Sequence, residues 1–163
     1  VENGATSIWE RWDSYTKEDG FGRHNAAMNS FSHYAFGSVC EWMFRDLAGI
    51  NQSGAGMQHL LIQPRPPTPT SNPERAPMSW VKAEHTSHYG LTAVAWERTA
   101  EQFSVKITIP PNCDARVIIP TSDVASIRID GQTVAQAGLN VELSATNPTV
   151  RIGSGSWQIT AKP

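Results

Sequence analysis

Gln102-Phe103-Ser104-Val105-Lys106-Ile107-Thr108-Ile109 decides the fold. Phe103, Val105, Ile107 and Ile109 alternate with Ser104, Lys106 and Thr108, the period of two that turns one face of a strand to a core and the other to water. Shorter runs repeat the rule on both sides, and the spacing predicts further strands at 58–63, 80–86, 91–96, 116–119, 126–129, 133–135, 139–143, 149–152 and 157–161. Asp130-Gly131 falls between two of them and signals a tight hairpin. Many short strands separated by turn residues argue for an antiparallel sandwich. Trp80, Trp96 and Trp157 lie inside the strand patterns and read as core candidates.

Upstream the character changes. Pro64, Pro66, Pro67, Pro69, Pro73 and Pro77 fill a stretch that cannot be helix and is poor as central strand, hence a linker or a surface excursion. Before it, over 30–48, Phe31, Tyr34, Ala35, Val39, Trp42, Met43 and Leu47 recur at threes and fours, which predicts a helix with a buried face. Asn29 or Ser30 is placed to cap its start, and Gly49 follows its end, where a left-handed residue is wanted. The chain therefore divides into 1–57 and 58–163. One helix cannot bury its own apolar face. Either the sandwich covers Phe31, Val39, Trp42 and Met43, or their partners lie outside these residues.

Composition narrows the function classes. Lys and Arg total 13 against 15 for Asp and Glu among 163 residues, a net charge of -2 without a basic stripe, so nucleic acid and anionic membrane are not expected partners. No apolar run approaches the roughly 20 residues of a membrane helix. Cys40 and Cys113 fall in a helix and in a strand-edge turn and read as two free thiols, with no metal-ligand spacing around either and no cofactor motif.

The densest chemical signal is Ser7-Ile8-Trp9-Glu10-Arg11-Trp12-Asp13. Glu10 stands between two indoles with a guanidinium next to it. Indole faces stack on the C–H faces of sugar rings, so an aromatic-flanked carboxylate suits a glycosidase site. The same residues equally suit a structural Arg–Glu pair with two core tryptophans. A second signal, Met28-Asn29-Ser30-Phe31-Ser32-His33-Tyr34, puts His33 in the first turn of the helix, where side chains can line a cavity mouth. A capping or packing histidine fits that position as well.

Three segments, Thr6-Ser7-Ile8-Trp9-Glu10-Arg11-Trp12-Asp13-Ser14-Tyr15, Met28-Asn29-Ser30-Phe31-Ser32-His33-Tyr34-Ala35-Phe36-Gly37 and Glu41-Trp42-Met43, closely resemble the end of the catalytic domain of the glycoside hydrolase family 78 α-L-rhamnosidases. The resemblance continues more loosely through Gly49-Ile50, Ile62-Gln63-Pro64, Ser87-His88-Tyr89-Gly90-Leu91 and Ile109-Pro110-Pro111-Asn112. It implies an α+β chain: the last helix of an (α/α)6 barrel followed by an antiparallel, jelly-roll-like β-sandwich. It also implies the C-terminal part of an inverting enzyme that cleaves terminal α-L-rhamnosides. Glu10 then falls on the general base, His33 on a sugar contact, and Trp12 on an aromatic near the site. The general acid and an acidic cluster belong to an upstream segment of the same enzyme, so the partners implied are that segment and a rhamnose-containing glycoside or polysaccharide. Residues 21–27 depart from the family by a slightly longer loop. The compartment stays open, extracellular or periplasmic sites being compatible with a polysaccharide-degrading parent. The alternative is a non-catalytic β-sandwich carbohydrate-binding module, which calls for exposed tryptophans on the sandwich.

Overall fold

A computed structural model describes residues 4–18, 20, 29–67, 78–143 and 147–163. The 21–27 loop, Met28, and Pro69, Pro73 and Pro77 lie outside the described residues. The chain forms two units, Val1–Trp42 and Met43–Pro163.

In the second unit the period-two segment becomes β5 (Phe103–Ile109), with Phe103, Val105, Ile107 and Ile109 buried and Lys106 exposed. It lies inside a six-stranded sheet with β3 (Trp80–Ser87), β4 (Gly90–Arg98), β7 (Arg128–Ile129), β8 (Gln132–Thr133) and β11 (Gly155–Ala161), in the order β3-β4-β5-β11-β7-β8. A second sheet has the order β1-β2-β6-β10-β9, from β1 (Ile50–Gln52), β2 (His59–Ile62), β6 (Asp114–Ile118), β9 (Val141–Leu143) and β10 (Pro148–Ile152). Leu60, Ile62, Val117 and Val150 of this sheet share one buried cluster with Val94, Trp96, Val105, Ile107 and Ile159 of the other, the shared core of a sandwich.

Among the described residues every strand pairing is antiparallel except one: β2 runs parallel to β6, from His59 opposite Asp114 to Ile62 opposite Val117. The chain builds β3, β4 and β5 between those two strands, a crossover long enough for parallel pairing. The Asp130-Gly131 hairpin forms as expected, with Ile129 opposite Gln132 and positive φ at both turn residues. β1 has no counterpart in the sequence-based reading. It pairs with β2 through Ile50 opposite Ile62, so the sheet already begins at Ile50, upstream of the expected division after residue 57.

The helix is shorter than expected and its face is not buried. α1 spans Tyr34–Trp42 with no buried residue, and a π-helical segment, Met43–Ala48, follows. Tyr34, Val39, Trp42 and Met43 are half to nine-tenths exposed. Asn29 and Ser30 precede α1 by several residues and do not cap it.

The end of the π segment is fixed to the sandwich through its carbonyls, which a helix C-terminus leaves without intrahelical partners. Asn51 Nδ2 donates to Arg45 O at 2.9 Å, Arg65 N to Asp46 O at 3.0 Å, and Trp96 Nε1 to Leu47 O at 2.7 Å. Arg65 Nη1 adds an ion pair with Asp46 Oδ1 at 2.8 Å. Gly49 then turns the chain with φ +80°, and its carbonyl accepts from Gln63 N at 2.8 Å. Trp96 is a core residue as expected, and Trp157 packs against the core. Trp80 does not follow the pattern: on strand β3 it alternates with Val81 and Ala83, which pack against the core, and shares the outward phase of exposed Lys82 and Glu84, so it is 65% exposed.

Candidate functional site

Glu10 and His33 come from two segments that hydrogen-bond to each other within the first unit. Glu10 N donates to Ser30 O at 2.8 Å, and His33 N donates to Ile8 O at 2.9 Å. The Ser7 hydroxyl donates to Phe31 O. These bonds recruit residues 30–33 into pairing with 7–10, which is why α1 starts at Tyr34 and why His33 stands just before the helix, its carbonyl accepting from Phe36 N at 3.1 Å. Trp9 packs edge-on against Phe31 at 5.5 Å and Tyr15 at 6.5 Å between ring centroids.

The Glu10 carboxylate is fixed on one oxygen. Oε2 accepts from Ser30 N at 2.8 Å and lies 3.8 Å from His33 Nδ1. The second distance is beyond hydrogen-bond reach and within range of a bridging water or ligand oxygen. Both side chains are about 30% exposed. The His33 ring sits 4.9 Å from that of Phe36.

The described side-chain bonds of Arg11 go to Asp13 and not to Glu10. Its Nε and Nη2 reach Asp13 Oδ1 and Oδ2 at 3.1 and 3.4 Å, because a carboxylate two residues on matches the planar guanidinium fork. The Arg–Glu pair considered from the sequence is therefore replaced by Arg11–Asp13. Trp12 is fully exposed, so the two indoles do not both flank Glu10. Trp9 alone packs into the loop. The sequence marked Asn29 and Ser30 only as cap candidates within the second motif; it did not reveal that the Ser30 N–H bonds Glu10 Oε2 or that the Asn29 and Ser14 side chains meet at 2.8 Å.

Among the described residues no three of His, Cys, Asp and Glu gather as metal ligands, and no helix is long and apolar enough to cross a membrane. Cys40 and Cys113 are both free, the first exposed and the second buried.

Comparison with known proteins gives this geometry its context. Residues 49–133 match the model of the bacterial alpha-L-rhamnosidase C-terminal domain, and residues 1–47 match that of the bacterial alpha-L-rhamnosidase 6 hairpin glycosidase domain. The chain belongs to the bacterial alpha-L-rhamnosidase family. An alpha-L-rhamnosidase of Formosa agariphila is 36% identical over 143 residues, covering 88% of this chain and 14% of its own length. One of Streptomyces avermitilis is 32% identical over 160 residues, covering 98% and 14%. The crystal structure of the Streptomyces avermitilis alpha-L-rhamnosidase complexed with L-rhamnose superposes with a TM-score of 0.73 at 32% identity, over 99% of this chain and 14% of that one. An alpha-L-rhamnosidase structure from Dictyoglumus thermophilum gives 0.73 at 27% identity, over 99% and 17%. The chain thus spans about one seventh of the length of these relatives and corresponds to the C-terminal region of rhamnosidases. The helix followed by antiparallel sheets is the fold shared with those structures.

Proposed function

We propose that the parent enzyme hydrolyses terminal α-L-rhamnosides with inversion, that Glu10 is its general base, and that His33 holds the sugar. The observation that carries this is the meeting of Glu10 Oε2 with Ser30 N at 2.8 Å and His33 Nδ1 at 3.8 Å, which joins the two motif segments into one site. In the proposed mechanism the Ser30 N–H fixes one carboxylate oxygen. The other takes a proton from the attacking water. His33 donates to or accepts from a sugar hydroxyl placed beside the Glu10 carboxylate. Trp12, fully exposed, has a free indole face to offer to a ring. Inversion needs a second carboxyl about 6.5 to 9.5 Å away, on the far side of the water and the anomeric carbon. The proposal assigns it to the upstream part of the enzyme, since Asp13, near Glu10 in sequence, is engaged by Arg11.

The sandwich as a glycan-binding module gains one observation, the exposed Trp80. That indole belongs to a groove of about 650 Å³ shared with apolar Met43, Phe44, Leu47 and Met78, a composition suited to packing. The carboxylate-bearing motif lies on the other unit, and the catalytic reading is kept.

The test is Glu10→Gln in the full-length protein. Turnover of an aryl α-L-rhamnoside is expected to fall by roughly 10² to 10⁴, while the 163 residues alone release no product at any protein concentration. Near-normal turnover by a folded Glu10→Gln protein removes the assignment.

A further inference from the structure

We propose that Ser14 is a positioning residue for Glu10, closing a hydrogen-bonded ring that holds the carboxylate in its orientation. This rests on the reading of Glu10 as the general base. Ser14 is 2% exposed, and among the described residues it is the buried polar side chain of the first unit. Its Oγ lies 2.8 Å from Arg11 O and 2.8 Å from Asn29 Oδ1. A single hydroxyl proton serves one acceptor, so both contacts are satisfied when the hydroxyl donates to Arg11 O and the Asn29 amide turns its NH₂ toward Oγ.

The positions of the two partners give the contact its meaning. Arg11 follows Glu10, and Asn29 precedes Ser30. Glu10 and Ser30 are themselves joined twice, through Glu10 N to Ser30 O and Ser30 N to Glu10 Oε2, both at 2.8 Å. The Ser14 hydroxyl therefore completes a closed path: Glu10, Arg11, Ser14, Asn29, Ser30 and back to Glu10. On the far side His33 N to Ile8 O at 2.9 Å holds the same two segments together. Without Ser14 Oγ the 29–30 segment is held against 10–11 from one side only, and the Ser30 N–H that aims Oε2 is free to slide. A supporting shell of this kind fixes a reacting group to within about 0.5 Å, and a displacement of 1 Å can cost up to about 10²-fold in rate.

The experiment uses the full-length enzyme with an aryl α-L-rhamnoside, and kcat is normalised to folded protein. Ser14→Ala is expected to lower kcat by about ten-fold and to leave KM within about two-fold, because an interaction that aims the base acts on the transition state and not on ground-state binding. Asn29→Ala, which removes the same bond from a half-buried position, is expected to do likewise. The double variant is expected to be no slower than the slower single one, since both remove one contact. Independent, multiplying losses in the double variant overturn the proposal. So does an unchanged kcat in either single variant while Glu10→Gln is inactive, a result that leaves Glu10 as the base. An active Glu10→Gln enzyme removes the reading of Glu10 itself, and the positioning role with it.

Discussion

Gly49→Ala tests how tightly the exit of the π segment is keyed to the sandwich. A Cβ at position 49 would lie 2.2 Å from Gln63 C and 2.2 Å from Pro64 N. Both are backbone atoms, so no rotamer change relieves the overlap. Gly131 has the same φ of +80° with nothing within 4 Å of its Cβ position, which makes Gly131→Ala a matched control for backbone strain alone. Holding an L-residue in the left-handed region costs about 1–2 kcal/mol. At Gly49 overpacking adds about 1–3 kcal/mol. Moving the 63–64 backbone away also breaks the Gln63 N to Gly49 O bond of 2.8 Å, worth about 1–3 kcal/mol where an acceptor is left buried. The expected loss is therefore about 3–8 kcal/mol against about 1–2 for the control, a large part of the roughly 5–15 kcal/mol that holds a domain folded. Urea unfolding of the 163-residue chain, followed by tryptophan fluorescence, measures both. With a slope of about 1–3 kcal/mol per molar urea, the Gly49→Ala midpoint falls at least about 1 M below wild type. Midpoints for the two alanine variants within about 0.3 M of each other would falsify the steric argument, since strain alone would then account for both.

Trp96→Phe is expected to destabilise the chain by about 2–4 kcal/mol, because Leu47 O loses its buried donor and the core loses volume. Trp157→Phe removes an exposed bond to Gly153 O at 2.9 Å and is expected to cost under about 1 kcal/mol. Equal losses by circular dichroism melting would show that burial of the bond is not what matters. Burial pushes the Cys113 thiol above its ordinary range, and the neighbouring Asp114 carboxylate adds to the rise. An aromatic disulfide reagent should therefore modify exposed Cys40 in the folded chain and Cys113 only after denaturation. Rapid reaction of both thiols in buffer contradicts this. His33→Ala in the full-length enzyme is expected to raise KM more than it lowers kcat, as a lost ground-state sugar contact does. A pure kcat effect would instead assign His33 to the chemistry.

The strands were legible because burial on one face leaves a period-two trace, as in Phe103, Val105, Ile107 and Ile109, all at most 2% exposed. β1 left none: three residues, Ile50–Gln52, with one buried at the start, are too few to alternate. Nothing local distinguishes the parallel β2–β6 pair from an antiparallel one, since its direction is set by the three strands that intervene. Trp80 was misread because it is out of phase with Val81 and Ala83, which pack against the core, and so faces outward with Lys82 and Glu84. At the helix start the periodicity of Phe31 and Tyr34 extended the expected helix four residues too far, because the bonds of 7–10 to 30–33 compete for the same backbone and win.

The site shows a sharper division between what residue identity records and what it does not. The carboxylate, the imidazole and the indoles are visible as letters, and they suffice to point to sugar chemistry. What orients them is largely main chain: the Ser30 N–H on Glu10 Oε2, the Ser30 carbonyl on Glu10 N, the Ile8 carbonyl on His33 N. Any residue other than proline supplies those groups, so the Ser30 side chain carries no information about its role. Arg11 shows the converse. Its letter next to Glu10 suggested an ion pair with that carboxylate, yet Asp13 captures it with two contacts of 3.1 and 3.4 Å. The capture matters for the proposed chemistry. A base that must take a proton from water gains from a donor that aims it. With Arg11 held by Asp13, the described hydrogen bond on the Glu10 carboxylate is the Ser30 N–H to Oε2 at 2.8 Å, and His33 Nδ1 lies 3.8 Å from the same oxygen.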